Sequence, residues 1–61
     1  MKLKDLFKFF FEIQGIKVYK NGILLFKGTC SEFTNKKILE KEVKNILTLY
    51  DGDNYIIINV K

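Results

Sequence analysis

A small single α+β domain, with one antiparallel sheet packed on helix, is the fold class this sequence predicts, and three observations predict it. Leu3, Leu6, Phe7 and Phe10 recur at helical spacing, Asn21-Gly22 separates two β-rich runs, and Tyr55-Ile56-Ile57-Ile58-Asn59-Val60 reads as a strand. The 61 residues make one domain, and a chain of that length buries only about 60% of the surface it exposes when unfolded. With 48% hydrophobic residues, 15% aromatic residues and no proline, the composition supports a packed core and not a disordered chain.

The first element is a helix over residues 2 to 12. Its stripe is Leu3, Leu6, Phe7 and Phe10, with Lys2, Lys4, Asp5 and Lys8 opposite. Phe9 and Phe11 fall on the flanks of that stripe, where one helix on a sheet cannot bury them both. Gly15 ends the segment. A hairpin over 16 to 29 follows, because Asn21-Gly22 suits a two-residue type I′ turn that needs φ > 0 at both positions. That turn sets Tyr19 opposite Leu24, Val18 opposite Leu25 and Lys17 opposite Phe26. Ile16, Val18, Ile23 and Leu25 then share one face, and Tyr19, Leu24 and Phe26 the other.

Thr29 or Ser31 caps a short helix from about 32 to 40. Residues 43 to 50 fit two patterns: helical spacing through Leu39, Val43, Ile46, Leu47 and Tyr50, or the alternation of a strand. The strand reading gives αββαββ, with a turn at Asp51-Gly52, and is preferred. The helix reading gives αββαβ. In a second hairpin over 43 to 60, Leu47, Leu49, Ile56 and Ile58 share the inner face, and Ile46, Tyr50, Tyr55 and Ile57 the outer one. The expected core is Leu3, Leu6, Phe10, Val18, Leu25, Phe33, Leu39, Leu47, Ile56 and Ile58.

Function classes narrow by residue type. Cys30, Ser31 and the threonines are the available nucleophiles, and the chain has no histidine to activate them, so no enzyme, metal site or cofactor is expected. Asp51 and Asp53 around Gly52 belong to a turn, since the rest of a calcium-loop pattern is missing. The single cysteine excludes an internal disulfide, no apolar run is long enough to span a membrane, and the interrupted first segment lacks a signal-peptide cleavage pattern. The expected compartment is the cytoplasm. The apolar stripe of the first helix is used by packing on the sheet, so no membrane partner is expected.

Eleven lysines against seven carboxylates give a net charge of +4, which favours anionic partners. Every cation is lysine, which disfavours base readout by arginine and is also what an AT-rich genome produces without selection. Two binding readings follow. In the first, surplus apolar side chains (Phe9, Phe11, Tyr19, Leu24, Phe26 and Tyr55) pack on a protein partner, with a homodimer as a compatible use of one patch. In the alternative, Lys17, Lys20 and Lys27, interleaved with Tyr19 and Phe26, bind nucleic acid.

Leu3-Lys4-Asp5-Leu6, the hairpin Lys17 to Thr29, Ser31-Glu32-Phe33 and Leu39-Glu40-Lys41-Glu42-Val43 together resemble the small accessory proteins of phages and prophages of low-GC Gram-positive bacteria. The resemblance spans roughly residues 3 to 60 and lies in structural positions. It implies a non-enzymatic module that binds a host protein or nucleoprotein complex, as the anti-CRISPR inhibitors of host defence nucleases do. It assigns no site residues.

Overall fold

A computed structural model describes residues 1–47 and 55–61. It is an α+β fold with the order α1 (Leu3–Phe7), β1 (Gly15–Lys20), β2 (Ile23–Thr29), a 3-10 turn (Cys30–Glu32), α2 (Lys36–Leu39), β3 (Val43–Leu47) and β4 (Ile56–Val60). Residues 43 to 47 are strand, the preferred of the two readings. The turn expected at Asp51-Gly52, together with Leu49, Tyr50 and Asp53, lies outside the described residues.

The strands form one sheet in the order β2-β1-β4-β3. The expectation of an antiparallel sheet is corrected here: β1 and β4 run parallel at its centre, and each carries an antiparallel outer neighbour. Ile56, Ile57 and Ile58 explain the placement, since a run that is apolar on both faces suits a central strand. The core lies on one side of the sheet and consists of Leu3, Leu6, Ile16, Val18, Phe33, Ile58 and Val60. The shortest dimension of the molecule, 16 Å, accommodates the sheet and one layer against it.

Both helical elements are shorter than expected. After Phe7 the backbone changes from i→i+4 to i→i+3 hydrogen bonds: the Phe9 N–H donates to the Leu6 carbonyl (3.0 Å) and the Phe10 N–H to the Phe7 carbonyl (3.2 Å). The turn keeps Phe10 against the core and leaves Phe9 and Phe11 outside. The second helix is interrupted where Phe33 adopts an extended conformation and enters the core. There its ring meets Phe7 and Phe26 edge-on, with centroids at 5.3 and 4.7 Å. Glu32 accepts from the Thr29 N–H and hydroxyl at the start of the 3-10 turn, and Asn35 Oδ1 caps α2 by accepting from the Lys37 and Ile38 N–H groups.

The type I′ turn forms as expected, with φ of 51° at Asn21 and 80° at Gly22, and Tyr19 pairs with Leu24. Beyond that point the register shifts by one. Leu25 is an extra residue, so Val18 faces Phe26 and Lys17 faces Lys27. Phe26 therefore joins the core side and Leu25, expected inside, is 38% exposed. A second bulge, at Lys44, acts the same way: Val43 faces Val60, but Ile46 faces Ile58 and Leu47 faces Ile57. Leu47 thus lies outside and Ile46 takes the side expected for Leu47. Phe10, Leu39 and Ile56 pack against the core only partly buried, and the sequence reading omitted Ile16 and Val60.

Glu40 ties the two helices together, accepting from Lys4 Nζ at 2.8 Å and Lys2 Nζ at 2.9 Å. The hydrogen bonds from Lys4 and then Lys2 hold its carboxyl down to about 2.

Two outcomes follow. Phe26→Ala should destabilise the fold by about 2–4 kcal/mol in urea unfolding and Leu25→Ala by about 0.5 kcal/mol; the reverse order would restore the unbulged register. A carboxyl with a depressed folded pKa stabilises above its unfolded value and loses that contribution as pH falls to the folded value. The stability difference between wild type and Glu40→Gln should accordingly be complete above the ordinary carboxylate range and vanish as unfolding is measured down to about pH 2.

Candidate functional site

All described helical elements pack on the face of Ile16, Val18, Ile58 and Val60, so the opposite face of the sheet carries no packed helix among the described residues. Strand alternation and the two bulges place Lys17, Tyr19, Leu24, Lys27, Asn45, Leu47, Ile57 and Asn59 there. The centre is apolar. Tyr19 and Ile57 are half-buried by their neighbours, whereas Leu24 and Leu47 are 47% and 42% exposed. Asn59 Nδ2 donates to Asn45 Oδ1 across the β3–β4 pair at 2.7 Å.

Charge separates along the same division. Among the described residues the strands hold Lys17, Lys20, Lys27 and Lys44 and no carboxylate. The described carboxylates Asp5, Glu12, Glu32, Glu40 and Glu42 all belong to helices and connections. Lys17 and Lys27 are direct cross-strand partners, a like-charge pairing that costs stability by itself. Both ammonium groups lie over the ring of Tyr55, 5.2 and 5.4 Å from its centroid, which offsets part of that cost. The ring is close to Gly15, where an added Cβ would stand 3.0 Å from two ring carbons. A glycine in a strand beside an aromatic is the signal that could have located this contact in the sequence.

The predicted site residues thus separate into groups. Tyr19, Leu24, Tyr55, Lys17 and Lys27 come together on the open face. Phe26 does not, because the Leu25 bulge turns it to the core. Lys20 alternates to the other side, next to Lys41, whose pKa it lowers by hydrogen bonding and then by charge repulsion. Phe9 and Phe11 lie apart from the sheet, 76% and 83% exposed in the loop after α1. The thiol of Cys30 is partly buried and its pKa is pushed up by that burial, the opposite of an activated nucleophile. Among the described residues no helix is long and apolar enough to cross a membrane.

Comparison with family profiles, curated proteins and solved structures gives no match.

Gly15→Val should push the Tyr55 ring away from the strand. The ring-current shifts of the Lys17 and Lys27 side-chain methylenes should then collapse in NMR spectra while the amide pattern of α1 and α2 stays in place.

Proposed function

We propose that this chain is a non-enzymatic binding protein that docks the open face of its sheet onto an acidic surface of a host protein or nucleoprotein complex. The observation that carries the reading is the juxtaposition of Lys17 and Lys27 over Tyr55 on a sheet whose strands, among the described residues, hold no carboxylate. A cationic face of this kind attracts an anionic partner, and the apolar centre of Tyr19, Leu24, Leu47 and Ile57 supplies the burial such a contact needs. The likeness to phage accessory proteins supports a role as an inhibitor of a host defence nuclease, of the anti-CRISPR type. A cationic face does not imitate a nucleic-acid backbone. The reading therefore places the contact on an acidic part of the nuclease or on its bound nucleic acid, not in an empty basic channel.

A second reading has its own observation: Tyr19 and Tyr55 beside Lys17 and Lys27 are the stacking and neutralising groups of a single-strand binder. The two differ in salt dependence, because phosphate contacts release counterions and an apolar protein contact does not.

The test is affinity capture from lysate of a low-GC Gram-positive host, with and without nuclease, using wild type and Lys17→Glu/Lys27→Glu. A defence nuclease retained by wild type after nuclease treatment, and lost or bound at least about tenfold more weakly by the double variant, is expected. Retention of nucleic acid alone, with affinity falling linearly in log salt, supports the second reading. Equal capture by both proteins overturns the assignment of this face.

A further inference from the structure

The segment Lys8-Phe9-Phe10-Phe11-Glu12-Ile13 is an apolar surface that sheet docking does not use. Phe9, Phe11 and Ile13 are 76%, 83% and 85% exposed, which places three large apolar side chains in solvent within five residues. Their backbone is tied at both ends. The Phe9 N–H donates to the Leu6 carbonyl (3.0 Å), the Gln14 N–H to Phe11 (3.0 Å), the Ser31 N–H to Glu12 (3.1 Å) and the Cys30 N–H to Gln14 (3.1 Å). Phe10 packs inward between the exposed rings. A surface held this way pays little backbone entropy when it binds.

The charges identify the occupant. Lys8 and Glu12 stand symmetrically about Phe10, and Lys8 makes only a distant 3.9 Å contact with Asp5. We propose that this segment is a self-association surface, and that it pairs with the same segment of a second copy about a two-fold axis near Phe10. Antiparallel apposition sets Lys8 of each copy against Glu12 of the other and Phe9 against Phe11, an isologous and self-complementary contact. Three exposed side chains of this size offer on the order of 500 Å² per copy. The pair then buries about 1,000 Å², the lower limit for a specific interface, so the dimer is reversible. A bilayer fits less well: interfacial segments carry an excess of cations, whereas this one has a lysine and a glutamate. The contact shares no residue with the sheet face, so either assignment can fail without the other.

Sedimentation equilibrium of the full chain from micromolar to millimolar concentration should show reversible monomer–dimer exchange. Lys8→Glu and Glu12→Lys should each weaken it at least about tenfold, because each variant opposes like charges at both ends of the contact. An equimolar mixture of the two variants should associate again, as should the double variant Lys8→Glu/Glu12→Lys. All of these sites are exposed, and unchanged circular dichroism would show that the fold is intact. A chain monomeric throughout the range, or a dimer indifferent to the single charge reversals, overturns the proposal. So does a monomer that sediments with phosphatidylglycerol vesicles in a Phe9-dependent way.

Discussion

The parallel pairing of β1 with β4 is the contact on which the rest of this small molecule depends. It aligns Ile16 with Ile56, Val18 with Ile58 and Lys20 with Val60, and four of these side chains are among the seven buried ones. Each central strand then holds one outer strand in place by antiparallel bonding. The helical segments gain their positions only by covering the resulting ridge, since a helix of five residues and one of four have no stability of their own. Their charged groups follow from this. Glu40 meets Lys2 and Lys4 because the ridge brings the two helices to the same side.

The elements themselves were legible in the sequence, and their facing was only partly so. Asn21-Gly22 located a type I′ turn from its two residues alone, because few others accept positive φ at both positions. Each bulge adds a single residue, and alternation has a period of two, so Leu25 and Lys44 each invert whatever follows them. No residue type announces such an insertion. The same arithmetic accounts for the residues proposed for binding. Tyr19 and Leu24 precede the Leu25 bulge along the hairpin and were placed on the correct face, whereas Phe26 follows it and was not. The parallel pair was illegible for another reason: it joins residues about forty apart, and local pattern carries no information on which distant strand becomes a neighbour. The triple phenylalanine was readable as surplus, but the turn that packs its middle member against the core and leaves the other two in solvent was not.

Two surfaces of different character result from one thin fold. The sheet face is cationic around an apolar centre, and its shape is fixed by the strands. The loop after α1 is neutral and apolar, and its shape is fixed by hydrogen bonds to its own turn and to the residues that follow β2. In the arrangement proposed here, one surface takes a foreign partner while the other adds apolar burial to a small core.

The two bulges have a further consequence, for polymerisation. Both outer strands, β2 and β3, expose unpaired backbone groups to which another strand could add, and an open four-stranded sheet with two regular edges is a template for ribbon growth. Here each edge is interrupted by its own extra residue, and each carries a lysine, Lys27 on one and Lys44 on the other. The interruption bends the edge and the ammonium group must be desolvated before a new strand can dock. Both features disfavour the addition of a further strand at either edge.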